Sequence, residues 1–205
     1  MLKAAPADYP IHDLLRNRWS PRAFSDKPVP PDILRGLFEA ARWAPSSSNE
    51  QPWAFLVATK DDPETHARLL SVLVETNQFW AKHAPVLALA ISELEFARTG
   101  QPNRNAFYDT GQAVAHLTVE ATSRGLLVHQ MAGFDAQKAI DLYQIPKGWQ
   151  PIAAFVIGYY GNPQSLPENL RERELAPRSR KSLTSFVMSD HWGHPASFVE
   201  SKANT

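Results

Sequence analysis

Apolar and polar positions along this 205-residue chain change period repeatedly, and the changes divide it into elements. Ile33, Leu34, Leu37, Phe38 and Ala41 recur at helical spacing behind Pro28, Pro30 and Pro31. Asp32 falls in the first turn, where a negative charge is favourable. The pattern predicts a helix ending near Trp43. Trp53 to Thr59 (Trp-Ala-Phe-Leu-Val-Ala-Thr) predicts a buried strand. Pro63 opens a further helix with Leu69, Leu70, Leu73 and Val74 on its apolar face, and Pro85 leads a second strand, Val86 to Ile91. The polar insert Glu93 to Asn103, with its Thr-Gly-Gln-Pro, reads as a loop.

The longest helical pattern runs from Asn105 to Arg124 and stops at Gly125, in the position of a C-cap. Its small residues Gly111, Ala113, Ala115 and Ala121 admit close approach of another backbone, which suits a central core helix or one at a subunit interface. Leu126 to Met131 reads as a short strand, Asp135 to Tyr143 as a helix, and Pro151 to Tyr160 as the clearest buried strand. Ile11 to Arg16 predicts a short helix behind Pro10. Beyond Gly161 the composition shifts to Pro, Glu and Arg, which predicts an extended arm over 162–205. Four or five strands alternating irregularly with helices predict one domain over 1–205, built as a mixed sheet flanked by helices.

Composition narrows the function. Hydrophobic residues make up 43% and charged residues 20%, which is globular composition. Lys+Arg and Asp+Glu are both 21, so the formal net charge is zero. No global field then favours nucleic acid or an acidic membrane, and any anion must be held by local basic clusters. Cysteine is absent, which excludes disulfides, thiolate catalysis and Cys-ligated metal. The opening Met-Leu-Lys-Ala-Ala-Pro-Ala-Asp lacks the apolar core of a signal peptide, and no run of about 18 apolar residues exists. The expectation is a soluble, cytoplasmic protein.

Three polar clusters carry candidate chemistry. Ala44-Pro-Ser-Ser-Ser-Asn-Glu-Gln-Pro-Trp53 is bracketed by prolines, so neither neighbouring element extends through it. Its hydroxyls and carboxamides both donate and accept, which suits either a well-capped connection or a ligand site. Arg18-Trp19-Ser20-Pro21-Arg22 sets two forked donors around a hydroxyl; the arginines either hold a phosphate or carboxylate or are simply solvated. Arg178-Ser-Arg180-Lys181 is the third cluster. Gly-x-Gly-x-x-Gly, the P-loop and Gly-x-Ser-x-Gly are all missing, which leaves a Rossmann site, a P-loop and the commonest hydrolase elbow unsupported. His191-Trp-Gly-His194 supplies two ligands, too few for a structural zinc site, so no metal is expected. His129, inside an apolar run, reads as a core histidine.

These clusters, with Gly125-Leu-Leu-Val-His-Gln-Met-Ala-Gly-Phe-Asp135 between the second and third, occur in an order that resembles the FMN-dependent nitroreductase family, from about Leu14 to about Val187. The resemblance implies an α+β fold with a mixed, mainly antiparallel sheet, and an obligate homodimer with two FMN molecules at its interface and a C-terminal arm reaching the partner subunit. It implies phosphate and ribityl contacts from Arg18, Trp19, Ser20 and Arg22, and phosphate contacts from Arg178 and Arg180. Pro45, Ser46, Ser47 and Asn49 would come from the other subunit. Met131, Ala132 and Gly133 would lie near the reactive flavin nitrogen, and Asn77 at the pyrimidine edge. The implied activity is hydride transfer from NADH or NADPH through FMN to a nitroaromatic or quinone. A flavin reductase serving a monooxygenase and a flavin-binding protein without turnover are the alternatives. No side chain need be catalytic, because the cofactor carries the chemistry. Some family members place a glutamate where this chain has Ala132, so a preference tied to that side chain does not carry over.

Overall fold

A computed structural model of the chain describes residues 3–199; Met1, Leu2 and the last stretch of the predicted arm, 200–205, lie outside the described residues. In chain order the elements are α1 (Asp13–Asn17), α2 (Pro31–Arg42), β1 (Trp53–Thr59), α3 (Pro63–Leu70), α4 (Glu75–Ala81) and β2 (Val86–Glu93). They continue with α5 (Ala106–Ser123), β3 (Leu127–Met131), α6 (Ala136–Tyr143), β4 (Trp149–Gly158) and α7 (Glu168–Leu175). Local chemistry sets several ends. Pro31 and Pro63 occupy first-turn positions of α2 and α3, and the Asp62 and Asp135 carboxylates accept from the Thr65 and Lys138 amides at 3.1 and 2.9 Å. Gly125 ends α5 at φ +72°, a conformation that costs glycine little.

The strands form one sheet in the order β1-β2-β4-β3. All three pairings are antiparallel, so among the described residues the expected mixed component is absent and the antiparallel part stands. Alternation along β2 divides the core. Leu87, Leu89 and Ile91 face a layer built from α3, α4, Trp19 and Phe24, while Val86, Ala88 and Ala90 face α2 and α5. Each fully buried leucine in these layers, such as Leu37, Leu89 or Leu117, contributes roughly 1.5–3 kcal/mol. The α5 pattern therefore lies over the sheet as a core helix, with its small residues Ala113 and Ala121 against it.

Three elements differ from expectation. β1 is an edge strand and only Ala58 in it is fully buried, because one long edge of it has no neighbouring strand among the described residues. α4 lacks an apolar stripe; burial of Trp80 and Ala81 holds it in place instead. Within the predicted extended arm, Glu168–Leu175 forms α7, a polar helix whose one buried side chain is a carboxylate, Glu174. No helix of the described residues is long and apolar enough to cross a membrane.

Candidate functional site

The segment after α1 is extended, so its side chains alternate between two faces. Trp19, Pro21 and Ala23 are buried; Arg18, Ser20 and Arg22 face outward. This alternation is the physical content of Arg-x-Ser-x-Arg. Trp19 packs edge-on against Tyr160 at 5.2 Å, so its ring is a core anchor. The Pro21 carbonyl accepts from His129 Nδ1 at 2.7 Å, and Phe24 bridges to Tyr160. With the segment pinned this way, Arg18, Ser20, Arg22 and Arg180 line a cavity of about 280 Å³, joined by Lys3 and Arg173.

The electrostatics of this cavity ask for an anion. Burial lowers the proton affinity of Arg18, and its neighbours Arg178 and Arg180 lower it further. Burial also lowers that of Arg22 and Arg178, and Arg173 and Arg180 respectively add to the effect; only for Arg22 does Glu174 oppose it. The guanidiniums remain charged and crowd one another, with Glu174 as the carboxylate that shares the cavity lining with them. Glu174, the carboxylate close by, is turned toward the backbone amides of Arg22 and Ala23 at 2.9–3.1 Å. Arg178 donates to the carbonyls of Lys3, Arg16 and Arg18 at 2.8–2.9 Å, which engages three of its N–H groups. Among the described residues, the Arg18 side chain makes one hydrogen bond, to Ser20 Oγ at 3.2 Å, and that of Arg180 reaches only the carbonyl of Ser179. Their remaining donors suit a phosphate.

Beside this cavity runs β3, five residues or about 15 Å long. Beyond its far end lie Ala132 and Gly133, while the Met131 side chain is buried in the core, leaving backbone as its means of reaching a ligand. Asn77 Nδ2 donates to the Gly133 carbonyl at 3.0 Å. A Cβ on Gly133 would stand 2.6 Å from that nitrogen, so glycine here permits the close approach. Arg18, Ser20, Arg22, Arg178 and Arg180 thus cluster around a segment that packs on His129, the middle residue of β3, and Asn77, Ala132 and Gly133 cluster past the strand's C-terminal end.

Pro45, Ser46, Ser47 and Asn49 lie elsewhere. Their loop precedes β1, the opposite edge strand, about 14 Å away across three strand spacings. It also sits at the other end of the sheet: Trp53 pairs with Ser92, beside Trp149, whereas the arginine segment meets Tyr160. Within one chain the two halves do not meet. The loop is nonetheless firmly held. Ser48, Asn49 and Gln51 all adopt left-handed backbone, at φ 55°, 55° and 54°, each at a cost of roughly 1–3 kcal/mol. Ser46 Oγ accepts from the Gln51 amide, and buried Asp109 accepts from the Ser47 amide, both at 2.9 Å. Glu50 accepts from the Ala97 amide and ties the loop to the Glu93–Asn103 insert.

Two supporting residues carry no sequence signal for these roles, Glu174 in a polar run and Asp109 in the first turn of a helix; a third, His129, is the core histidine that its apolar run predicts. Burial holds His129 down at about 4, helped by Arg22 and Arg18 and opposed by the carbonyls of Pro21 and Ser20. The His191–His194 pair gains a third group in space, Asp190, with possible ligand atoms within 4.8 Å, all on exposed side chains of an open turn.

A family model described as the nitroreductase family matches residues 15–159. An uncharacterised 15.4 kDa protein of Mycolicibacterium smegmatis is 34% identical over 132 residues, 64% of this chain and 87% of its own length. A Stenotrophomonas maltophilia protein with the provisional name NADH dehydrogenase/NAD(P)H nitroreductase is 28% identical over 151 residues, 65% of this chain and 76% of its own. A solved structure described as an oxidoreductase containing FMN superposes with a TM-score of 0.88 at 34% identity, covering 93% of this chain and 96% of that one. Because the family model spans both the arginine segment's end of the sheet and its opposite corner, and the fold agrees almost throughout, this chain belongs to the nitroreductase family.

Proposed function

We propose that this protein is an FMN-dependent oxidoreductase that takes hydride from NADH or NADPH and passes it to an electron-poor acceptor such as a nitroaromatic or quinone. The observation that carries the reading is the cavity of crowded guanidiniums, which matches the dianionic phosphate of FMN in charge and donor geometry. The likeness to an oxidoreductase containing FMN supports the same reading. FMN, when bound, supplies the hydride chemistry that amino-acid side chains lack.

The residues divide the remaining work. Arg18, Ser20, Arg22 and Arg180 would hold the phosphate, with Arg178 fixing the segment that carries three of them. The backbone of Met131, Ala132 and Gly133, along with Asn77, would face the ring system. Pro45, Ser46, Ser47 and Asn49 sit at the opposite corner of the sheet, so their use requires a second copy, and a homodimer completes the site. Exposed Trp43 and Tyr108, each 71% accessible, flank that loop and give a second copy apolar surface to cover.

Anaerobic addition of NADH or NADPH to FMN-loaded protein tests the reading: the visible flavin absorbance bleaches, and a nitroaromatic or quinone restores it. A flavin that neither nicotinamide bleaches leaves the non-reductase flavin-binding reading. Faster turnover with free flavin than with nitro compounds favours the flavin reductase.

A further inference from the structure

We infer that the C-terminal arm is a two-pronged clamp that sets the Arg18–Arg22 segment for a phosphate monoester, with Glu174 and Arg178 as its positioning residues. The inference rests on the FMN reading above and assigns to the arm a role separate from touching the ligand.

Glu174 is the observation that demands explanation. Its α7 is polar, yet this carboxylate is only 2% exposed. A buried carboxylate is costly unless its oxygens are satisfied, and among the described residues Glu174 forms no side-chain ion pair, although it lies among cations. What satisfies it is backbone: Oε2 accepts from the Arg22 amide at 2.9 Å, and Oε1 accepts from the Arg22 and Ala23 amides at 3.1 Å. Four residues on, Arg178 does the converse, donating to the carbonyls of Lys3, Arg16 and Arg18 at 2.8–2.9 Å. The anion holds the end of the segment that presents N–H groups, and the cation holds the end that presents carbonyls.

The consequence lies on the other face. Neither prong takes up the side chains of Arg18, Ser20 or Arg22, which alternate away from the core toward the cavity. An aspartate or glutamate paired directly with Arg22 would occupy the donors an incoming phosphate needs; a carboxylate bound to the Arg22 amide leaves those donors free. Lys3 closes the arrangement by donating to the Glu174 carbonyl, so the N-terminal stretch, the segment and the arm are tied at one place.

The test compares FMN with riboflavin, which lacks the phosphate. Both are titrated into apo-protein of the wild type, Glu174→Gln and Arg178→Lys, with apo melting temperatures measured alongside. The expected result is FMN affinity weaker by about tenfold or more in each variant, with riboflavin affinity unchanged within about twofold. Unchanged FMN affinity overturns the clamp, and so does an equal loss for both flavins, which marks a general structural effect. Should Glu174→Gln fail to fold, Arg178→Lys, which leaves the buried carboxylate in place, decides the matter alone. Wild-type protein that binds neither flavin overturns the proposed function and the clamp together; wild-type binding with unaffected variants overturns the clamp only.

Discussion

His129 makes the stability of this protein depend on pH in a way that can be calculated and isolated. Its Nδ1 lies 2.7 Å from the Pro21 carbonyl, an atom that only accepts, so Nδ1 carries the proton and the neutral ring is the native form. The ring packs on Trp80, itself 2% exposed, with centroids 4.6 Å apart and planes tilted by 42°, and a charge there would stand beside Arg22 and Arg18. Burial first, and those cations second, hold the imidazole at about 4 against an ordinary 6.5. The unfolded chain therefore takes up a proton near 6.5, while the folded chain refuses it until about 4. Stability from this group is intact above 6.5 and is lost as pH falls through that window, by about 2.5 kcal/mol at pH 4.5 and about 3 kcal/mol below 4. Carboxylates titrate in the same range, so the measurement is a difference. His129→Asn keeps an N–H donor for the Pro21 carbonyl but cannot titrate. Urea unfolding of both proteins from pH 7.5 to 4.5 yields two stability curves. The wild-type curve falls faster, by about 1.4 kcal/mol per pH unit in the middle of the window. Parallel curves would refute the claim that His129 is neutral and held so by its surroundings.

Three substitutions test other parts of the site. Arg22→Ala removes a charge-assisted partner of the phosphate and weakens FMN binding by roughly 1.5–3 kcal/mol in a fluorescence titration; unaltered affinity removes Arg22 from the site. Asp109→Ala leaves the Ser47 amide without its acceptor, costs roughly 1–3 kcal/mol in denaturant unfolding, and exposes the 45–51 loop to limited proteolysis. A variant as stable and as resistant as wild type shows that Asp109 does not hold the loop. Gly133→Ala drives a methyl to 2.6 Å from Asn77 Nδ2 and 3.0 Å from Val74, which destabilises by roughly 1–3 kcal/mol in calorimetry. An unchanged melting temperature there means that Asn77 moves aside without cost.

The fold was legible where burial imposes a period. α2, β2 and α5 each carry an apolar pattern that one or two faces of the core explain, and Gly125 marks its helix end through backbone freedom that only its φ requires. β1 misled as to depth because a run such as Trp-Ala-Phe-Leu-Val-Ala-Thr is apolar whether the strand is central or at an edge; which one depends on pairing set far along the chain. α7 was illegible for the opposite reason. Its one buried side chain is charged, and its partners are amides 151 and 152 residues away. No local periodicity records such a contact. The site followed the same division: the residues facing the cavity were readable as motifs and His129 as a core histidine, while Glu174 and Asp109, which hold the arginine segment and the 45–51 loop in place, were not.

That division has a physical cause. A neutral chain that must bind an anion has to gather cations against their mutual repulsion, and flexible arginines on a loop would disperse. Here the segment carrying Arg18 and Arg22 is fixed through its backbone and its inward face: Trp19 on Tyr160, His129 on the Pro21 carbonyl, Glu174 on two amides and Arg178 on the Arg18 carbonyl. The cations are held together before any ligand arrives, and their proton affinities are lowered by burial first and by neighbouring guanidiniums second. A phosphate bound there would relieve the repulsion and pay no further ordering cost on the segment. The 45–51 loop follows the same logic at the far corner, with three left-handed residues held by Asp109 and Ser46. Two surfaces rigidified separately, about 14 Å apart across one sheet, suit a ligand bound between two copies better than one enclosed by a single chain.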